Sequence, residues 1–215
     1  MKKITKILPL AMALMLAGSA FAATAETTNS QSSTMSLTVP EFINITKTDS
    51  VEEANAEFNA DYTTLTTSAT MNAGFHVITN VPDKKIYLKG TCQGADGVQT
   101  ALYGDSAGAL NLVFANEQVK PTTAAITNIT GKAAAKASNE NAIAFSLTPG
   151  ISPDAASGAV DPTAVLADGK VTYTLKNGAY DMVYTLGTTA LDNTFSTHDT
   201  WGLYKATLVL TDANP

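Results

Sequence analysis

Between Val171 and Leu186 apolar and polar residues alternate on both sides of an Asn-Gly pair. Val171, Tyr173 and Leu175 keep one phase before Asn177-Gly178, and Tyr180, Met182 and Tyr184 keep the matching phase after it. Asn-Gly suits a two-residue hairpin turn because both central residues of that turn take positive φ. Such a turn sets Leu175 opposite Tyr180, Tyr173 opposite Met182 and Val171 opposite Tyr184. An antiparallel hairpin with every apolar pair on one face is therefore predicted.

The same two-residue period predicts strands at Thr34 to Lys47, Tyr62 to Met71, Gly74 to Val81, Lys85 to Cys92, Leu110 to Ala115, Ile143 to Leu147 and Leu203 to Thr211. In the last of these Tyr204, Ala206, Leu208 and Leu210 alternate with Lys205, Thr207 and Thr211, which gives one dry and one wet face. In the first, Met35, Leu37, Val39, Ile43 and Ile45 hold one phase across Pro40 and Glu41. Proline cannot donate to a ladder, so that strand is expected at a sheet edge or changing sheets at Pro40, beside the C-terminal strand of its own chain. Helix is expected only at Asp49-Ser50, which Glu52 and Glu53 follow, and in the alanine-rich stretch Gly131 to Asn139. Gly150 to Gly169 carries Pro153, Pro162 and Gly158 without periodicity and reads as a long loop.

Short strands between turn clusters predict an all-β fold, an antiparallel β-sandwich of immunoglobulin-like or jelly-roll-like kind. Composition agrees. Threonine is about one residue in seven, and 45% of the 215 residues are apolar, enough for one sizeable core. Cys92 is the one cysteine, so no internal disulfide forms, and its phase with Ile86 and Leu88 predicts a small buried side chain.

The first residues change the picture from fold to destination. Lys2, Lys3 and Lys6 precede an apolar run from Ile7 to Gly18, and Ala20-Phe21-Ala22 ends in small residues at −3 and −1. This is the pattern of a secretory signal peptide, here of bacterial look, over residues 1–22. The run is shorter than the ~20 residues needed to span a bilayer, so no membrane span is expected after cleavage. Residues 23–33 are polar and aperiodic and read as a flexible lead, and 34–215 as a single domain. All 13 basic residues are lysine and the formal charge is −6, so nucleic acid is excluded as a partner.

Candidate chemistry is sparse. Gly104-Asp105-Ser106-Ala107-Gly108 matches the G-x-S-x-G nucleophile elbow and resembles the string found in lipase and esterase-type α/β-hydrolases. That resemblance implies Ser106 as nucleophile, His198 as base, and Asp181 or Asp192 as the orienting acid. The elbow needs a helix after the serine, whereas Leu110, Leu112 and Phe114 alternate as a strand, so the expectation is no enzyme and no catalytic residue. His76 and His198 are far apart in sequence, His76 is read as a solvated strand residue, and no metal or other cofactor is expected. Asp96, Asp161, Asp168, Asp192 and Asp199 lie in acidic loops without calcium-loop spacing. Trp201 is expected to lid the core, the alternative being a sugar-stacking platform formed with Tyr103 or Tyr204.

Tyr204 and the run Ala206 to Pro215 resemble the closing strand of bacterial WxL-type surface domains and of secreted fimbrial-type sandwiches, while Trp201-Gly202-Leu203 spells the motif somewhat earlier. The resemblance implies noncovalent attachment to a cell wall through a β-rich domain. The resulting expectation is a secreted protein of the cell surface or periplasm, structural or adhesive and without catalysis, with its binding residues unassigned. A carbohydrate-binding module is the alternative and a serine hydrolase the second alternative. Its partner would be a cell-wall polymer, a carbohydrate or another surface protein, and the chain is expected to be monomeric, with strand exchange as the other assembly mode.

Overall fold

A computed structural model describes residues 33–105, 107–130, 140–191 and 194–213. The chain divides between Val39 and Pro40 into two units. In the first, residues 33–39 carry no regular secondary structure.

The second unit is built from strands, and in the longest stretches of both sheets buried residues alternate with more exposed ones as the sequence pattern requires. The strands are β1 (Ile43–Lys47), β2 (Ala56–Phe58), β3 (Leu65–Thr67), β4 (Asn72–Thr79), β5 (Lys84–Gly94), β6 (Gly97–Thr100), β7 (Leu102–Gly104), β8 (Leu110–Asn116), β9 (Ala142–Pro153), β10 (Thr163–Ala167), β11 (Lys170–Leu175), β12 (Gly178–Ala190), β13 (Tyr204–Lys205) and β14 (Thr207–Thr211), with one helix, α1 (Thr123–Thr130). Among the described residues they form a nine-stranded sheet, ordered β1-β4-β12-β9-β8-β13 with β2, β3 and β7 attached, and a five-stranded sheet, ordered β10-β11-β5-β14 with β6 attached. The two antiparallel sheets pack as a β-sandwich, as expected. Ile86 and Leu88 of β5 and Tyr173 and Leu175 of β11 enter the core from the small sheet. They meet Val77, Val113, Tyr180, Met182 and Tyr184 from the large one.

The hairpin predicted at Asn177-Gly178 does not form. Both strands exist, but β11 pairs with β10 and β5, whereas β12 pairs with β4 and β9 in the other sheet. The chain arches from one sheet to the other, and Tyr173 meets Tyr184 across the sandwich at 6.5 Å between ring centroids. An arch and a hairpin demand the same alternation, since in both the two apolar faces end up in one core. The hairpin nearby is β10–β11, turned by Asp168 (φ 52°) and Gly169 (φ 70°), with Ala167 opposite Lys170. Asp-Gly is itself a hairpin signal, and both central φ values are positive as that turn type needs.

Three further expectations are corrected. Thr34 to Lys47 is a strand only from Ile43, and it pairs with β4 of the large sheet, while the C-terminal β14 pairs with β5 of the small one. Its edge position does hold. Gly150 to Gly169 is not one long loop, because β9 continues to Pro153 and β10 lies within it. Pro149 and Pro153 are tolerated there because β8 pairs with β9 only as far as Leu147, so beyond it β9 has a partner on one side alone. The segment after Asp49-Ser50 carries an isolated bridge, Val51 to Asn72, instead of a helix. The helix that forms is α1, whose first turn is capped by Thr122 Oγ1 accepting from the Ala125 N–H at 3.2 Å, and whose Ala125, Ile126 and Ile129 are buried. The proposed signal peptide, nearly all of the lead at 23–33 and the alanine-rich stretch Gly131 to Asn139 lie outside the described residues.

Candidate binding surface

Trp201 is 89% exposed, so the expected core lid is corrected. Its indole is in solvent, yet the backbone on either side of it is held by a hydrogen-bond network. On the N-terminal side, the Thr200 N–H donates to Asn141 Oδ1 at 2.8 Å, and the Thr200 carbonyl accepts from Asn116 Nδ2 at 2.9 Å and from the Tyr204 hydroxyl at 2.8 Å. On the C-terminal side, the Leu203 N–H donates to Gln118 Oε1 at 3.1 Å, and the Leu203 carbonyl accepts from the Glu117 N–H at 2.8 Å. Asn116 is 0% exposed, and its Oδ1 also accepts from the Gln118 and Val119 N–H groups at 2.8 Å each. One buried amide thus ties the 117–119 turn to the 200–203 turn.

The segment leading into this loop is held in the same manner. Asp199 accepts from the Asn141 N–H through Oδ1 at 2.8 Å and from the Ser196 N–H through Oδ2 at 2.9 Å. The buried Thr194 hydroxyl donates to the Leu191 carbonyl at 2.7 Å. Burial, with the Asp199 charge adding to it, pushes the Tyr204 hydroxyl above its ordinary pKa of 10.0 against the opposing effect of Asn116, so the phenol stays a donor. Leu203 and Val119, both exposed, flank Trp201 on this pair of turns. An exposed indole on ordered backbone can bury most of 150–250 Å² against a partner without first ordering a loop.

A second aromatic group joins Phe195 of the same connecting segment to the β2–β3 turn and has no counterpart in the sequence reading. Phe58, Tyr62 and Phe195 cluster with ring centroids 5.9 Å (Phe58–Tyr62) and 5.3 Å (Phe58–Phe195) apart, while Phe58 and Tyr62 stay exposed. Asn59 shapes the turn between β2 and β3, its Oδ1 accepting from the Thr63 and Thr64 N–H groups at 2.7 and 2.9 Å. Tyr62 sits there at φ 55°, in the left-handed region that bulky residues rarely take. The signal available in the sequence was only Phe58 and Tyr62 around an Asn; Phe195 arrives through the tertiary fold.

Of the hydrolase motif, Gly104 ends β7 and pairs with Leu110 of β8, so the strands on either side of the motif are antiparallel neighbours. The Asp105 Oδ1 accepts from the Ala107 and Ala109 N–H groups at 2.8 and 2.9 Å, which is turn chemistry. Ser106 itself lies outside the described residues, as does Asp192. Asp181 is not beside His198: it faces His76 across β12 and β4, with His76 Nδ1 2.7 Å from Asp181 Oδ1. His76 is thus a partly exposed strand residue within hydrogen-bond distance of a carboxylate, and His198 is exposed.

Cys92 is buried as expected, and burial pushes its thiol up to about 11, which keeps it protonated near neutral pH. Tyr103 is buried and Tyr204 half-buried, so neither shares the exposure of Trp201. The acids weighed for calcium are dispersed: Asp96 turns β5 into β6, Asp161 precedes β10, Asp168 turns β10 into β11 and Asp199 precedes Trp201. Among the described residues no group of three or more His, Cys, Asp or Glu side chains is placed to hold a metal, and no helix is long and apolar enough to cross a membrane. No family model matches the chain, and no curated protein matches it in sequence.

Proposed function

We propose that this is a noncatalytic, secreted surface or cell-envelope protein of structural or adhesive role, which contacts its partner through the Trp201 loop. The observation that carries the reading is an exposed tryptophan on a backbone pinned at Thr200 and Leu203. Leaving that side chain in water forgoes on the order of several kcal/mol of transfer free energy, which a partner covering it recovers. The signal-peptide pattern of residues 1–22 and the WxL-like end support a cell-surface or periplasmic destination.

The exposed indole also supports the second reading, a carbohydrate-binding module, in which Trp201 stacks on a sugar ring. Trp201 is the one tryptophan of the chain, so its fluorescence reports directly on this surface. The test is co-sedimentation with bacterial cell-wall sacculi, together with fluorescence titration by soluble oligosaccharides. Binding is expected to fall at least about tenfold in Trp201→Ala. Binding that Trp201→Ala leaves intact overturns the reading. Stoichiometric fluorophosphonate labelling that Ser106→Ala abolishes would replace it with the hydrolase.

A further inference from the structure

The edge strand β10 differs from the other edge of the small sheet. Its partner β11 presents Val171 and Tyr173 to the core, and these stand opposite Leu166 and Ala164 of β10, which therefore share the core-facing side. Leu166 lies against β7, since a Cβ added to Gly104 would come within 2.2 Å of its Cδ2. Yet Leu166 is 36% exposed, Ala164 is exposed, and Val165 on the outer side is 63% exposed. In β14, the edge strand across the sheet, the core-facing Leu210 is buried and Leu208 is partly buried. The inward face of β10 is thus left open where the sheet ends. Among the described residues, no backbone hydrogen bond reaches β10 except from β11. The strand has no charge and no proline within it, so of the usual devices against pairing it has only its shortness.

We propose that β10 is a self-association edge: two copies pair their β10 strands antiparallel about a two-fold axis at Val165, joining their small sheets. The strand is complementary to itself in that register. Val165 meets its own copy on the outer side. On the inner side Leu166 stands opposite Ala164 of the second copy, and Ala164 opposite Leu166, so a large side chain meets a small one twice. Both open core-facing residues become covered. This is an isologous contact, closed by its symmetry, so it yields a dimer and not a filament. Five residues a side is far below the 20–30 of a standard stable interface, which makes the dimer concentration-dependent. The net charge of −6 opposes association, so added salt strengthens it.

The test is sedimentation of the full chain over about a thousandfold range of concentration, followed by disulfide trapping. Cys92 is the single native cysteine and is buried, so introduced thiols report alone. Val165→Cys, whose two copies face each other at cross-strand distance, is expected to give a covalent dimer on mild oxidation with diamide. Val98→Cys and Val209→Cys, both exposed on other strands of the same sheet, are expected to remain monomeric. Val165→Lys sets two like charges directly opposite and is expected to weaken the dimer at least about tenfold with an unchanged melting temperature of the monomer. A monomer at every concentration overturns the proposal, as does equal cross-linking at Val98 or Val209, or a dimer indifferent to Val165→Lys. Loss of the dimer in the full chain carrying Met35→Asp, Leu37→Asp and Val39→Asp also overturns it, in favour of the N-terminal segment as the strand that occupies the edge.

Discussion

Tyr180 and Lys176 close the arch between the two sheets on each other: the Tyr180 hydroxyl donates to the Lys176 carbonyl at 3.0 Å and accepts from the Lys176 N–H at 3.0 Å. The ring is fully buried at the start of β12, while Lys176 lies at the surface with its ammonium paired to Asp83. One side chain therefore satisfies both main-chain groups of the residue at which the chain leaves the small sheet. A tyrosine bonded to backbone a few residues upstream recurs at the corners of β-sandwiches.

Tyr180→Phe removes both bonds but keeps the packing of the ring. The expected cost is about 1–2 kcal/mol, read as a lower urea midpoint with an unchanged m value. An unaltered midpoint would show that the corner is held by packing alone.

Gly178, at φ 139°, passes beside Ala159: an added Cβ would lie 2.8 Å from the Ala159 N and 2.7 Å from its Cβ. Gly178→Val is expected to cost well over about 1 kcal/mol, through backbone strain and through this collision. Gly178→Ala should recover only part of the loss, because the collision begins at Cβ. Thermal unfolding of the two variants separates them.

The Tyr173 hydroxyl is buried, with the residue 1% exposed, and no hydrogen-bond partner for it is present among the described residues. Tyr173→Phe deletes a buried hydroxyl that interacts with the Tyr184 hydroxyl without reaching full hydrogen-bond geometry, and leaves the ring contact with Tyr184 in place. Stability should rise by about 1 kcal/mol. A fall of similar size in urea denaturation would reveal a partner for that hydroxyl.

Alkali should unfold the protein before its tyrosines ionise normally. Burial, and the nearby Asp105 charge after it, push Tyr103 from 10.0 up to about 12, and burial also raises Tyr173, Tyr184 and Cys92. The folded state then holds protons that the unfolded chain releases, so stability is fully present below about pH 9, the ordinary pKa of Cys92, and falls as pH rises from about 9 to about 12. The check is phenolate absorbance followed together with circular dichroism. The buried tyrosines should titrate in step with unfolding, and independent titration in the folded protein would contradict their burial.

Which stretches are strands was legible where a half-buried strand must alternate, and Lys85 to Cys92 could hardly be read otherwise, whereas Leu110 to Ala115 is buried on both faces. The edge strand β10 escaped notice for the converse reason: all five of its residues are exposed, so burial imposed no period on them. The Asp168-Gly169 turn was present as a local signal and was obscured by the prolines and alanines around it. Helix α1 has only eight residues and depends on the sheets to bury Ile126 and Ile129.

By itself, then, the sequence determined an all-β chain, the inward-facing residues of the strongly alternating strands β5, β11 and β12, the buried thiol of Cys92, and a strand beginning at Leu110, because each of these follows from local alternation. Tertiary structure alone decided that β11 and β12 belong to different sheets, that Asp181 answers His76 and not His198, that Phe195 joins Phe58 and Tyr62, and that Trp201 stands in water. The physical reason is the same throughout. A residue's phase says which way its side chain faces within a strand, but what it meets there depends on residues far along the chain, and only the packed sheets bring those together.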